Sequence, residues 1–150
     1  MSGNTFDRDL LADVVDAAAD GVIVVDAAGT VVYWNAGAER IFGWPAAEVV
    51  GAGLDVIIPE RMRERHNAGF SAAVATGRSR YGADDLLAVP AVTRDGRTVS
   101  IEFTIALLAG DGAIRHVAAV VRDVTERRAR DRELRRRLAE LEGTSGKKDH

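Results

Sequence analysis

The sequence contains no cysteine, only three prolines and few aromatic residues (5%). The absence of cysteine excludes disulfides, thiolate-bound zinc, iron–sulfur clusters and a cysteine nucleophile. No apolar run approaches the ~20 residues that a membrane-spanning helix needs. The first residues also lack the basic region and apolar core of a secretory signal. We therefore expect a cytoplasmic protein with no membrane partner.

Size and charge narrow the class further. The 150 residues, 47% of them hydrophobic, are enough for one globular domain. Residues 122–150 hold 10 of the 20 basic side chains, but 7 acidic ones are interleaved with them, which favours a solvated, ion-paired helix over a nucleic-acid surface. No phosphate loop, H-E-x-x-H or G-x-S-x-G element is present, so we expect no enzyme.

The hydrophobic periodicity predicts five strands between helices at both ends. Helices are expected over 6–18, 35–42, a short turn after Pro45, 59–76 and 124–142, and strands over 22–26, 30–34, 80–92, 98–107 and 114–122. A hairpin, a helical insert and a three-stranded meander fit an α+β fold with one five-stranded antiparallel sheet.

Five motifs in the right order resemble the PAS domain family. They are Asp20–Asp26 (DGVIVVD), the segment 31–44 with its WN and AERIFGW elements, Glu48–Gly51, the Arg94–Gly96 turn, and 121–127 (VRDVTER). The resemblance implies a PAS fold, with a capping helix at 1–18, the sensory domain at 19–123, a signalling or dimerisation helix at 124–142 and a disordered tail at 143–150.

In that family the terminal helices pass a signal to a partner. Asp123 and Thr125 join the last strand to the last helix, so we expect them to relay the signal. Leu134, Leu138 and Leu141 have heptad spacing, which predicts a homodimer through a coiled coil. No output domain fits after residue 142, so we expect the output in trans, in signal transduction or transcription regulation, or in a longer protein of which this chain is a piece.

His66 is the most informative candidate for ligand binding. It shares one helix face with Met62, Phe70 and Val74, so we expect it to face the sheet. The segment 58–77 resembles the haem-bearing oxygen-sensor PAS domains of the FixL type, in which the matching histidine binds iron. That resemblance implies haem b held by His66, the sole metal ligand. The candidate pocket residues are His66, Met62, Phe70, Tyr81, Leu86, Phe103 and Ile105.

The sequence also departs from that subfamily. Leu86 or Leu87 stands where those sensors have an arginine, and Tyr81 is the candidate polar group there. A flavin photoadduct is excluded because it needs a cysteine. A non-covalent flavin, another small ligand or no ligand stay open, and His66 is alternatively a hydrogen-bonded core histidine. The alternative function is a cofactor-free PAS domain for dimerisation or protein interaction.

Overall fold

The computed structural model describes residues 7–78 and 86–148. Its helices are α1 (Arg8–Ala17), α2 (Ala36–Phe42), α3 (Ala46–Val49), α4 (Arg63–Thr76) and α5 (Thr125–Lys148), with 3-10 turns at Leu54–Ile57 and Glu60–Met62. Its strands are β1 (Gly21–Asp26), β2 (Val31–Trp34), β3 (Leu87–Val92), β4 (Thr98–Gly110) and β5 (Ala113–Asp123).

All five strands form one antiparallel sheet in the order β2-β1-β5-β4-β3. The predicted α+β class, hairpin, helical insert and meander are therefore confirmed. Pro90 interrupts the apolar pattern of β3, and the sheet tolerates it because β3 is an edge strand.

Directly opposed residues show which side chains share the inner face of the sheet. One row across the sheet contains Ile23, Ala119 and Ile105, and the next contains Val121 and Phe103. The core lies between this face and helices α2 and α3, where Val31, Ala38 and Phe42 are fully buried. Beyond the core the inner face continues towards α4, where burial is only partial.

The residues that the sequence predicts to begin or end helices do so in the structure. Asn35 caps α2, and Gly43 ends that helix with a φ of 77°. Gly77, with a φ of 70°, ends α4, and its N–H donates to the Ala73 carbonyl. Because glycine enters the left-handed region without steric cost, both helix ends were predictable.

The last helix is longer than predicted. It continues through Gly143 to Lys148, so residues 143–148 are helical rather than part of a disordered tail. Gly143 and Gly146 each cost the helix about 1 kcal/mol relative to alanine, and neither ends it. No helix in the described ranges 7–78 and 86–148 has the length and apolarity needed to cross a bilayer.

Candidate functional site

Helix α4 positions His66 beside the β1–β2 turn. The four residues of the predicted stripe, Met62, His66, Phe70 and Val74, are each half-buried, which confirms their common face. Met62 and Phe70 pack against the core, but no residue of α4 is fully buried. This helix is therefore the least firmly packed of the elements that cover the inner face of the sheet.

A cleft of about 240 Å³ opens between α4 and the β1–β2 turn. Its walls are Val25, Ala28 and Gly29 from the hairpin, Gly53, Leu54 and Asp55 from the following loop, and His66, Asn67, Phe70 and Ser71 from α4. The hairpin wall is thus apolar, and the loop and α4 contribute carboxylate, amide, hydroxyl and imidazole groups.

Asp26 fixes the hairpin wall of this cleft. Its carboxylate accepts hydrogen bonds from the N–H groups of Ala28 (2.9 Å) and Thr30 (3.0 Å). This arrangement places Gly29 at a φ of 87° against Phe70, where a Cβ would lie 3.6 Å from the ring. The conformation favours glycine, since L residues rarely adopt that φ, whereas a Cβ at 3.6 Å would only contact the ring.

The His66 ring has two contacts. Its Nδ1 lies 3.4 Å from Oδ1 of Asn67, and its plane stacks on Phe70 with ring centroids 6.5 Å apart. In the tautomer in which Nδ1 donates to Asn67, Nε2 has the free lone pair that metal ions bind. Within residues 7–78 and 86–148 no cluster of three metal-ligating side chains is present.

The predicted pocket residues do not all meet. His66 and Phe70 line the cleft, whereas Met62 packs on the core and Leu86, just before β3, is 60% exposed. Phe103 and Ile105 are half-buried on the inner sheet face and do not line the cleft. Tyr81 lies outside the described residues. The cleft instead adds Asp55, Asn67 and Ser71, which sequence periodicity did not indicate.

A larger cleft, about 450 Å³, lies between the β3–β4 turn and α2. Two of its arginines are already engaged: Arg94 with Glu48 (2.9 Å) and Arg97 with Asp95 (3.3 Å). Arg94 also stacks over the Trp44 ring, 5.1 Å from its centroid. These pairs make the larger cleft an ion-paired surface, so the His66 cleft is the better candidate for ligand binding despite its smaller volume.

The predicted relay residues form the junction between the sheet and α5. Oδ1 of Asp123 accepts hydrogen bonds from the N–H (2.9 Å) and the hydroxyl (2.6 Å) of Thr125. The Thr125 hydroxyl oxygen in turn accepts from the Ser100 N–H on β4 (2.9 Å). Val124 is buried, and Arg127 forms an ion pair with Glu102 on β4. The first turn of α5 is therefore fixed to the sheet at four points.

Sequence reasoning missed the contact that joins this junction to α1. Arg122 pairs with Asp20 (3.2 Å), although each residue belonged to a separately identified motif. The Asp20 carbonyl and the Val15 carbonyl both accept hydrogen bonds from the Asn35 amide. The end of α1 and the start of α5 are thus anchored at the same end of the sheet, where β1 begins and β5 ends.

Comparison with known proteins agrees with this architecture. The chain is similar to an uncharacterized protein of Azorhizobium caulinodans, with 36% identity over 82% of this chain and 17% of that protein. It is similar to the sensor protein FixL of Bradyrhizobium diazoefficiens (28%, covering 87% and 26%) and the oxygen sensor protein DosP of Escherichia coli (25%, covering 77% and 14%). The chain therefore spans about a quarter or less of these relatives.

Among solved structures, an RNA-binding light-oxygen-voltage receptor superposes with a TM-score of 0.72 at 25% identity, over 93% of this chain and 40% of that one. The family model described as "PAS fold" matches residues 15–129, from the end of α1 into α5. This match covers the whole five-stranded sheet and helices α2 to α4, and the chain therefore belongs to the PAS family.

Proposed function

We propose that this PAS domain binds a small ligand beside His66 and relays its presence through α5 to a partner protein. The observation that supports this most is the half-buried imidazole in a cleft between the β1–β2 turn and α4, a helix that has no fully buried residue. Similarity to a sensor protein and an oxygen sensor protein favours sensing over catalysis.

Haem b is the leading candidate for the ligand, and its donor chemistry fits. Asn67 engages Nδ1 of His66, which orients the ring and leaves Nε2 for iron, while Phe70 supplies an apolar contact. When bound, haem supplies an iron that responds to a gas or to redox state. His66 holds it in this proposal, with Phe70 on the same face of α4 and Met62 at the start of that helix.

The volume of the cleft is smaller than that of a typical ligand pocket. Pockets for small molecules span roughly 300–1,000 Å³, and the cleft has about 240 Å³. Phe103 and Ile105 are only half-buried on the sheet side, so apolar surface is available if α4 moves outward. Since elements with few buried contacts open most readily, we infer that α4 shifts to admit the ligand.

The test is the absorption spectrum of protein expressed with haem supplied. We expect a haem band in the wild type, its loss in His66→Ala, and its retention in His116→Ala, the matched control, because His116 is exposed on β5 and does not line the cleft. A colourless wild type refutes haem. Native mass spectrometry of protein purified without added ligand then tests the broader proposal, which fails if no small molecule is bound.

The relay has a separate test. With haem bound, hydrogen exchange of the amides at 125–128 should change in the wild type and not in His66→Ala. Asp123→Ala should bind haem normally and lose that change, because it removes the acceptor that fixes Thr125. Capping losses cost about 1 kcal/mol, so this variant should stay folded. Unaltered exchange in the wild type on haem binding contradicts the relay.

The second candidate function is a cofactor-free interaction domain. It is favoured by the exposure of Leu134 (56%), Leu138 (59%) and Leu141 (67%) along α5. Contiguous exposed apolar residues on a helix are typical of protein–protein contacts. A wild type that binds no ligand but still associates with itself or a partner favours this function.

A further inference from the structure

Three arginines line the larger cleft, which lies between the end of α2 and the β3–β4 turn. The lining residues are Arg40, Gly43, Thr93, Arg94, Asp95 and Arg97. Three guanidinium groups and one carboxylate give this lining a formal charge of +2 at neutral pH. Glu48 pairs with Arg94 but does not line the cleft, and counting it still leaves an excess of positive charge. The volume, about 450 Å³, lies within the roughly 300–1,000 Å³ typical of small-molecule sites.

The ion pairs of these arginines leave most of their hydrogen-bond donors available. A guanidinium has five N–H groups on three nitrogens. Arg94 donates from Nη2 to Glu48, and Arg97 donates from Nε to Asp95. Arg40 donates from Nη2 to a backbone carbonyl at 3.4 Å. The other two nitrogens of each arginine have no partner in the part of the chain that the structure describes, so an anion can bind them without displacing the carboxylates.

The turn that carries two of these arginines is held in a fixed conformation. The Arg94 guanidinium stacks on the Trp44 ring, 5.1 Å from its centroid, and the Arg94 N–H donates to the Phe42 carbonyl (2.8 Å). Thr93 is only 4% exposed, and its hydroxyl oxygen accepts a hydrogen bond from the Arg97 N–H (3.1 Å). The Thr93 N–H donates to the Arg97 carbonyl (2.9 Å). Groups that are already positioned lose less conformational entropy when a ligand binds.

We infer that this cleft binds a small phosphate monoester. Arginine pairs with phosphate oxygens through two parallel N–H···O hydrogen bonds. At neutral pH a phosphate monoester carries about −1.5 to −2 charges, which matches the lining, whereas a single carboxylate carries only one. A phosphorylated side chain presents the same group, but the volume is that of a small-molecule site, which favours a free ester. The two clefts share no lining residue, so the inference does not depend on the ligand beside His66.

Isothermal titration calorimetry with two unrelated esters tests the inference. Adenosine monophosphate and glucose 6-phosphate are the probes, and adenosine and glucose are the matched compounds that lack the phosphate. We expect at least one ester to bind with a Kd below about 1 mM, and neither phosphate-free compound to bind. Absence of binding by both esters refutes the site, and so does equal binding of an ester and its phosphate-free counterpart. A phosphoserine peptide that binds when neither ester does refutes the assignment to a small molecule.

Paired variants then locate the binding site. Arg40→Gln with Arg97→Gln removes two lining guanidinium groups and should weaken ester binding at least about tenfold. Arg61→Gln with Arg65→Gln is the matched control, because it removes the same charge from exposed side chains that do not line the cleft, and it should change Kd less than about threefold. Asp95→Asn removes the lining carboxylate and should tighten binding about two- to fivefold. Equal weakening by the two double variants, or weaker binding in Asp95→Asn, refutes binding in this cleft.

Discussion

Asn35 connects three elements through one buried side chain. It is 0% exposed, and its Oδ1 accepts hydrogen bonds from the N–H groups of Val22 (2.8 Å) on β1 and Ala38 (2.9 Å) on α2. Its Nδ2 donates to the carbonyls of Val15 (2.8 Å) on α1 and Asp20 (3.1 Å) before β1. The amide oxygen of Asn35 therefore accepts two hydrogen bonds, and its amide nitrogen donates two.

Asn35→Ala removes all four hydrogen bonds. Loss of the helix cap costs about 1 kcal/mol. The other three backbone groups lose a partner in part-buried surroundings, at about 1 kcal/mol each, the lower end of the penalty for an unpaired buried group. The sum, about 4 kcal/mol, is a large fraction of the 5–15 kcal/mol that stabilises a typical domain. It corresponds to a drop in Tm of roughly 8–16 °C.

Asn35→Asp separates the contribution of the amide oxygen, which accepts hydrogen bonds, from that of the amide nitrogen, which donates them. The introduced carboxylate keeps the cap but directs negative charge at the carbonyls of Val15 and Asp20, so its folded-state pKa should rise above the unfolded value of about 3.9. A raised pKa contributes stability below the unfolded pKa, and this contribution is lost as pH rises through the folded pKa. The deficit relative to wild type should therefore be large at neutral pH and shrink towards about pH 4.

Denaturant unfolding at several pH values measures both effects, with Asn67→Ala as the matched control. Asn67 is exposed on α4, so its replacement should change the free energy of unfolding by no more than about 0.5 kcal/mol. If Asn35→Ala loses less than about 1 kcal/mol, or the Asn35→Asp deficit is independent of pH, the assigned hydrogen-bond network is refuted.

Two further predictions use thermal unfolding and titration. A Cβ at Gly37 would lie 2.2 Å from the Asp20 carbonyl oxygen, whereas one at Gly69 meets nothing within 4 Å. Gly37→Ala should therefore lose about 2 kcal/mol or more, and Gly69→Ala should gain about 0.5–1 kcal/mol; equal effects contradict the close approach. Burial, together with the charge and hydrogen bond of Asp16, raises the pKa of Tyr33. Stability from Tyr33 is thus present below about pH 10 and lost as pH rises through its folded pKa, and Asp16→Asn should lower the spectrophotometric midpoint.

Local sequence signals located most of the fold because they act through the backbone. Gly43 and Gly77 end helices in the left-handed region, and Asn35 caps α2, as the sequence predicts. The alternation of apolar and polar residues predicted the strands of the sheet, because successive side chains of a strand point to opposite faces. Pro90 was harder to interpret, since only the strand order shows that β3 lies at an edge.

The surroundings of His66 were less predictable. Hydrophobic periodicity identified the helix face on which His66 lies. It does not show which part of the sheet that face contacts. Long-range packing decides this: Phe70 lies against Gly29 in the β1–β2 turn, so the cleft forms there and not beside Phe103 or Ile105. Asp55, although eleven residues before His66, joins the cleft only because the loop folds back on the hairpin.

Both terminal helices are anchored at the same end of the sheet, where β1 begins and β5 ends. Asn35 holds the Asp20 backbone, the Asp20 carboxylate pairs with Arg122, and Arg122 precedes the Asp123–Thr125 cap of α5. Short, directional contacts therefore join the start of β1 to both α1 and α5, and the proposed relay would use them. The Asp20–Arg122 pair is exposed, so its rearrangement would leave the core intact.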